Sequence, residues 1–288
     1  MHDLKFEIRN MCRRMNCGSF STRDTKWHLF SVIAATAVET GFRNLGIRGL
    51  KPKHVEAFVD YWQDEEYAVG SIKNLMVCMR QWAEYIGKEN VVKRTNREYG
   101  IDDRMYVTNL SKAKLLPPEQ FALLTDDHTK ASIRLAIEFG LRREECIKIQ
   151  PEWADLDDKL RLKDSWTKGG KYREIPTTTA DQRAALEAAK LVANGGSLIP
   201  RGMRYVDQLN RFKAQCQKAG IRGVHGLRHN YAQVRYEVLA GWKCPAQGGP
   251  TSKQLTPEQK ERDREVRLHI SQALGHEREQ ITAVYLGR

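Results

Sequence analysis

The chain has 288 residues, of which 41% are hydrophobic and 29% charged, and its formal net charge is +12. This length suits two domains better than one, and the apolar fraction is sufficient for packed cores, so disorder is not the default expectation. The positive charge favours a polyanionic partner, either nucleic acid or an anionic membrane surface. From charge alone, a basic surface that only serves solubility is an equally good interpretation.

No apolar run is long enough to span a bilayer, and the N-terminus lacks the apolar segment of a signal peptide. We therefore expect neither an integral membrane protein nor export. No two cysteines form a CxxC pair, so a zinc site is not indicated and reduced thiols are expected, with Cys78 and Cys146 buried.

Residues 1–110 are predicted to form a small helical domain. Apolar residues recur at helical spacing in three stretches, 30–38, 55–62 and 71–86. Three or four amphipathic helices of this length form a bundle. The following polar stretch leads to Pro117-Pro118, and we place a linker at 111–116.

Residues 117–288 are predicted to form a second, mixed domain. This part carries most of the excess positive charge, since residues 111–288 hold 31 basic and 22 acidic residues. Residues 131–149 are apolar on several faces, which indicates one buried helix. The Gly-Gly pair within residues 159–176 indicates an antiparallel β-hairpin. Further helices are predicted at 179–193, 204–219, 226–241 and 256–273, with a loop at 241–253.

Four short elements in the second domain could carry chemistry. They are Gly-Leu-Arg-Arg-Glu-Glu at 140–145, Thr-Lys-Gly-Gly-Lys at 167–171, His-Gly-Leu-Arg-His at 225–229, and Leu-Gly-His at 274–276 followed by Tyr285. Alone, each is better explained structurally, as a surface arginine, a hairpin-tip lysine, a solvated polar stripe or a half-buried tyrosine.

Together these elements form a cationic set around one nucleophile. Arginine binds phosphate bidentately and stays ionised, and histidine moves protons near neutral pH. Lysine can protonate a leaving alkoxide, and a tyrosine becomes nucleophilic where cations stabilise its phenolate. This chemistry fits the attack of Tyr285 on a phosphodiester.

In their order and spacing, the four elements resemble those of the tyrosine recombinases, the phage-integrase family. The resemblance covers the second half of the chain and extends more weakly to residues 20–95. It implies a mainly α fold with a small antiparallel β-hairpin in the second domain: a helical SAM-like core-binding domain (1–110), then a mixed α/β catalytic domain (117–288).

The resemblance implies a role for each matching position. Arg142 and Arg228 would clamp the scissile phosphate, and Tyr285 would form a 3′-phosphotyrosine link. Lys168 would protonate the leaving 5′-oxygen, unless a different strand register gives that role to Lys171 or Arg173. The remaining matches are His225 as proton shuttle, His276 as a phosphate hydrogen-bond donor, Glu145 as a supporting acid and His229 as a structural residue.

DNA contacts are predicted for four basic residues: Lys73, Arg80, Lys171 and Arg173. Two features depart from the family pattern. Arg228 and His276 are 48 residues apart, which implies an insertion at about 241–262. The sequence given also ends three residues after Tyr285, which puts the family's exchange of a C-terminal segment between protomers in doubt. The insertion at 241–262 and the N-terminus are the alternative candidates for linking protomers.

The leading hypothesis is an integrase of a mobile genetic element that acts on double-stranded DNA attachment sites without metal, ATP or another cofactor. The resemblance further implies a homotetramer on DNA and a prokaryotic cytoplasmic, nucleoid-associated setting without membrane contact, and it leaves open whether an accessory DNA-bending or directionality protein takes part. A monomer free in solution is equally compatible with the sequence. The alternatives are a type IB topoisomerase-like enzyme and a catalytically inactive DNA-binding regulator. A basic RNA-binding module ranks below them because no RNP-like strand or clamp motif is present.

Overall fold

The computed structural model describes residues 3–15, 18–167, 169–276 and 278–288. The chain divides into two compact units, Met1–Met105 and Tyr106–Arg288. Residues 111–116, predicted to be a linker, belong to the second unit, where the Lys114 amide donates to the Gly226 carbonyl at 3.0 Å. The division therefore falls at 105/106, ahead of the predicted linker.

The first unit is helical, as predicted. Its helices are α1 (Leu4–Met15), α2 (Phe20–Glu39), α3 (Pro52–Asp64) and α4 (Val69–Tyr85). The three amphipathic stretches lie in α2, α3 and α4, while α1 packs on α2 and had no predicted counterpart. Two fully buried tryptophans anchor the core, and each indole N–H has an acceptor: Trp62 donates to Thr36 Oγ1 at 2.9 Å and Trp82 to the Ile47 carbonyl at 2.7 Å.

The second unit is mainly helical with one two-stranded sheet. Its helices and strands are α5 (Pro118–Ala122), α6 (Asp127–Phe139), α7 (Arg143–Lys148), α8 (Pro151–Ala154), β1 (Lys159–Leu162), β2 (Arg173–Pro176), α9 (Ala180–Ala193), α10 (Tyr205–Lys218), α11 (His225–Ala240), α12 (Pro257–Ala273) and α13 (Glu279–Leu286). One hydrophobic core runs through these elements, with α6, α9 and α11 at its centre.

The single buried helix predicted at 131–149 is wrong: the segment forms two helices, α6 and α7. Gly140 ends α6 in the left-handed region with φ of +61°. A β-carbon there would lie 2.4 Å from the Tyr231 ring, so no other residue fits without rearrangement. Apolar residues continue across this break because both helices are buried, which hides the boundary from a periodicity argument.

The predicted hairpin is confirmed, with β1 and β2 paired antiparallel so that Leu162 faces Arg173. Side chains alternate in burial along both strands. Arg173 and Ile175 therefore share the face that packs against the core, and an arginine at the start of β2 is directed inward.

None of the helices in the described ranges is both long enough and apolar enough to cross a membrane.

Candidate functional site

A buried carboxylate organises the base of the site. Glu145 is fully buried and forms a bidentate ion pair with Arg173, with N–O distances of 2.8 and 2.7 Å. It also accepts from the Arg142 side chain at 2.8 Å and from the Arg142 amide at 2.7 Å. Burial alone would raise the pKa of Glu145, but the hydrogen bonds and charge of Arg173, with Arg142 and Arg228 nearby, lower it to about 2.

Arg228 lies at the centre of the site and is 1% exposed. It donates to the carbonyls of Gly140, at 2.6 Å, and Leu274, and its Nε lies 3.3 Å from the Tyr285 hydroxyl. Burial, helped by the nearby cations, lowers the pKa of Arg228 to about 10. Because this value is still well above neutral pH, the guanidinium remains charged.

The Leu-Gly-His segment connects the two arginines to Tyr285. The Leu274 carbonyl accepts from Arg228 and, at 3.3 Å, from Arg142. Gly275 has φ of +69°, and a β-carbon there would lie 2.9 Å from the Arg173 side chain. The glycine therefore allows the chain to pass over Arg173 and to place His276 beside Tyr285.

Three histidine rings surround Tyr285, whose side chain is itself buried. The centroid distances to the tyrosine ring are 4.5 Å for His229, 5.8 Å for His276 and 6.0 Å for His225. Burial and the neighbouring arginine charges lower the pKa of His276 to about 4 and also lower the pKa of His225. Both imidazoles are therefore mainly neutral at pH 7, and each has one nitrogen able to accept a proton.

Some of these residues line an open cleft of about 660 Å³. The described residues at its wall are Arg142, Gly169, Lys171, His225, Gly275, His276, Arg278, Ile281 and Tyr285. Three of them are cationic and none is a carboxylate. A phosphodiester group would therefore meet positive charge, neutral imidazoles and one phenol in the same space.

The predicted catalytic residues Arg142, His225, Arg228, His276 and Tyr285 come together, with Glu145 beneath them and His229 packed on the tyrosine ring. Lys168 lies outside the described residues.

Of the predicted DNA-contacting residues, Lys171 lines the cleft. The prediction is wrong for Arg173, both as a DNA contact and as a substitute for Lys168. Its side chain is 6% exposed and its two terminal nitrogens bind Glu145. The alternation of side chains along β2 turns it into the core.

The two predicted residues of the first unit bind their own chain. Lys73 pairs with Asp103 at 3.2 Å, and Arg80 donates to Asn96 at 2.8 Å and to the Lys93 carbonyl at 3.3 Å. These bonds fasten residues 93–103 to α4. A DNA contact by Lys73 or Arg80 stays a prediction.

Two polar residues that support the site were missed by the sequence analysis. Gln233 donates to the Tyr285 carbonyl at 2.9 Å and is 1% exposed. The fully buried Ser271 hydroxyl contacts the carbonyls of His276 and Arg278, at 3.1 and 3.2 Å. No motif marks either residue, because a single buried polar side chain has no signature until its acceptor is known.

A second, basic cavity adjoins the cleft and was also missed. It has a volume of about 580 Å³ and shares His225 with the cleft. Arg143, Lys213 and Arg222 line it, and its described lining contains no carboxylate. Arg143 precedes Lys213 by 70 residues in the sequence, so only the fold brings it to Lys213 and Arg222.

Two family models match the chain. A model described as "Phage integrase, N-terminal" matches residues 1–92, and a model described as "Integrase" matches residues 103–234. The second match ends before His276 and Tyr285. No curated protein matches the sequence.

Solved structures of three related kinds share the fold. A lambda integrase dimer bound to a COC′ core site has a TM-score of 0.59 and 15% identity, over 99% of this chain and 78% of that one. The XerH site-specific recombinase bound to difH scores 0.57 at 13% identity, over 98% and 80%. The Tn1549 transposon integrase in complex with circular intermediate DNA scores 0.55 at 12% identity, over 100% and 96%.

The family matches together span most of the chain, and the fold likeness covers nearly all of it. The motifs that suggested the resemblance also converge on one cleft. The chain therefore belongs to the phage-integrase family of tyrosine recombinases.

Proposed function

We propose that this protein is the site-specific recombinase of a mobile genetic element, and that it cleaves and rejoins DNA through a 3′-phosphotyrosine intermediate. One observation carries the proposal. The Tyr285 hydroxyl lies 3.3 Å from the Nε of a buried, charged arginine, Arg228, at a cleft that is also lined by Arg142, His225 and His276. A phenol in this position has a cation beside it and room for a phosphate in front of it.

Positive charge is the main catalytic device. Arg142, Arg173 and Arg228 approach a single buried carboxylate, Glu145, so the cluster keeps an excess of positive charge. In the proposed reaction Arg142 and Arg228 receive the oxygens of the pentacoordinate phosphorus, where negative charge accumulates. These guanidiniums are already fixed by carbonyl and carboxylate acceptors, so little reorganisation is needed as the charge develops.

The proton transfers follow from the neutral state of the histidines. As the Tyr285 oxygen attacks phosphorus, its proton passes to His225, and the bond from phosphorus to the 5′-oxygen breaks. Lys168 gives the departing 5′-oxygen a proton. Gly169 and Lys171, close to Lys168 in the sequence, both line the cleft, which supports this assignment.

Rejoining is the reverse reaction with a 5′-hydroxyl of the partner strand. The phosphotyrosine retains the energy of the original phosphodiester, so the exchange requires no ATP. Because the arginines supply the charge stabilisation, we expect activity in the presence of EDTA.

The family and its solved relatives support a proposal for the assembly and setting. One solved relative of this fold is a lambda integrase tetramer bound to a Holliday junction. We propose a homotetramer on two double-stranded attachment sites, aided by an accessory DNA-bending or directionality protein, in the nucleoid-containing cytoplasm of a prokaryotic cell.

The first experiment traps the covalent intermediate. The protein is incubated in EDTA with a pool of nicked duplexes. The nick allows the short fragment with the new 5′-hydroxyl to diffuse away, and a randomised central sequence lets the protein select its site. SDS-resistant adducts are isolated, and both the attached DNA and the attached peptide are sequenced. We expect the DNA on the peptide that contains Tyr285, joined through a 3′-phosphate.

The outcomes separate the candidate functions. Adducts that share one DNA sequence support a site-specific recombinase. Adducts on all sequences, with relaxation of supercoiled plasmid by a monomer, would replace it with a topoisomerase-like enzyme. Tight DNA binding to a selected sequence without any adduct would replace it with a non-catalytic regulator.

The basic cavity beside His225 is proposed to bind the DNA phosphates next to the scissile one. Replacing Lys213 or Arg222 by glutamine should weaken DNA binding and reduce the magnitude of the slope of log K against log salt by about 0.9 for each phosphate that the protein no longer neutralises. Fluorescence anisotropy titrations at several salt concentrations measure both quantities.

Arg211 provides the matched control for this prediction. It lies on α10 with Lys213 but binds Asp126 at 3.5 Å, and it does not line the cavity. Arg211→Gln should leave the salt slope unchanged. Equal slopes for Lys213→Gln and Arg211→Gln would remove the cavity from the DNA interface.

A further inference from the structure

The main chain just after Tyr285 is held by parts of the chain distant in sequence. Gly287 has φ of +75°, and a β-carbon there would lie 2.6 Å from Asn109 Oδ1 and 2.9 Å from the Ala246 nitrogen. Asn109 also exchanges two hydrogen bonds of 2.9 Å with the main chain of Arg288. Ala246 belongs to a 3₁₀ turn, Pro245–Gln247, inside the segment predicted to be an insertion.

A buried ion pair also contacts the main chain at Gly287. Arg267 on α12 is 5% exposed and donates from Nε to both oxygens of Asp263 at 2.8 Å. A terminal nitrogen of Arg267 donates to the Gly287 carbonyl at 2.9 Å. Asp263 also accepts from the Tyr236 hydroxyl at 2.5 Å. The aspartate therefore fixes the arginine, and the arginine fixes the end of the tyrosine helix.

These contacts supply hydrogen-bond donors to carbonyls at the C-terminal end of α13. The last carbonyls of a helix have no partner within the helix. In α13, Gln233 binds the Tyr285 carbonyl, and Arg267 binds the Gly287 carbonyl with a charged donor near the negative end of the helix dipole. Both contacts restrain the turn that carries the reactive side chain.

We propose that Arg267, held by Asp263 and Tyr236, is a positioning residue that keeps the Tyr285 hydroxyl at Arg228 within a single protomer. The segment between α11 and α12 then has a structural role, because its Pro245–Gln247 turn packs against Gly287. Arg267 contacts no reacting atom in this arrangement. The proposal rests on the proposed phosphotyrosine reaction.

The test measures single-turnover cleavage of the selected nicked duplex by Arg267→Gln, at a temperature well below the melting point of every variant. A misplacement of about 1 Å costs up to about 100-fold in rate. We therefore expect the cleavage rate to fall by at least about tenfold, with unchanged DNA affinity. Arg267→Lys keeps the charge but has a single donor nitrogen where arginine uses two, and it should recover part of the rate.

Arg264→Gln is the matched control because Arg264 lies on the same helix, is 74% exposed and is 4.0 Å from Glu261. It should cleave at the wild-type rate. If the Arg267–Asp263 pair only stabilises the fold, Arg267→Gln would have a lower melting temperature but an unchanged cleavage rate in the folded protein, and this result would overturn the proposal.

If Arg267→Gln does not fold, Tyr236→Phe removes one support of Asp263 and retains the ion pair. It should also slow cleavage, and a wild-type rate would overturn the proposal.

The wild-type reaction separates failure of this inference from failure of the proposed function. If the wild-type protein forms no adduct on DNA that it selects and binds, the phosphotyrosine reaction is refuted and the positioning role falls with it. If the wild type and Arg264→Gln both form adduct and Arg267→Gln does so at the same rate, only the positioning role is refuted.

Discussion

Tyr285→Phe should abolish the covalent protein–DNA adduct while DNA affinity and stability stay close to wild type. Among the described residues that line the cleft, Tyr285 alone carries a hydroxyl. The substitution removes one hydrogen bond of 3.3 Å from Arg228 and no apolar surface, and such a bond contributes about 1 kcal/mol to stability. Gel electrophoresis in SDS measures the adduct, and anisotropy titration measures DNA affinity.

Tyr205→Phe is the control for loss of a phenol elsewhere in the same unit. Tyr205 is half-buried at the start of α10, and its ring centroid lies 4.9 Å from the Lys148 amine. Its variant should form adduct like the wild type. If Tyr285→Phe still formed a covalent adduct on any peptide, the assignment of Tyr285 as the nucleophile would be refuted.

The predicted catalytic residues in the described part of the chain lie together, and in the sequence they occur in short, ordered motifs. Gly140, Leu274 and Gly275 explain why such motifs exist. Gly140 and Leu274 supply carbonyls to Arg228, and Gly275 leaves room for Arg173. A motif of this kind records main-chain geometry as well as reactive side chains, so it can be read before the fold is known.

Arg173 shows where a sequence argument fails. A basic residue close to a candidate catalytic lysine was predicted to face DNA. Whether Arg173 faces solvent or the core depends on two features that the sequence does not show. These are the register of β1 against β2 and the position of Glu145, which pairs with Arg173. The partner of Glu145 was therefore identifiable only from the fold.

The second unit shows the same limit for secondary structure. The hairpin and the later helices were predicted, whereas α6 and α7 were merged into one. Gly140 is the visible sign of the break, but a glycine inside an apolar stretch also occurs in continuous helices. The support of α13 by Asn109, Ala246 and Arg267 was invisible for another reason: its parts are up to 179 residues apart in sequence.

Glu145→Gln should cause a large loss of stability. The wild-type carboxylate is fully buried and pairs with Arg173, whose side chain is 6% exposed. Removing one partner of such a pair leaves a buried, uncompensated cation, which costs about 3–5 kcal/mol. The change in the second unit is measured by urea unfolding at pH 7, with amide hydrogen exchange of peptides from α6 and α11 as the probe of unfolding.

Glu144→Gln is the matched control, one residue away. Glu144 is 51% exposed and binds Lys148 at i, i+4, an exposed pair that contributes at most about 1 kcal/mol. Equal unfolding free energies for Glu145→Gln and the wild type would show that Glu145 does not hold the arginine cluster.

The effect of Glu145 should depend on pH in a definite direction. Its pKa is about 2 in the folded protein and about 4.3 in an unfolded chain. Because the folded value is lower, the unfolded chain binds the proton more readily. The stabilisation, about 3 kcal/mol from this difference, is therefore complete above pH ~4.3 and lost as the pH falls towards 2. The gap in unfolding free energy between wild type and Glu145→Gln should narrow over that interval, whereas the Glu144→Gln curve should follow the wild type. A gap that stays constant from pH 5 to the acid limit of the folded protein would contradict a charged, stabilising Glu145, and with it the account of how this carboxylate holds Arg142 and Arg173 at the base of the cleft.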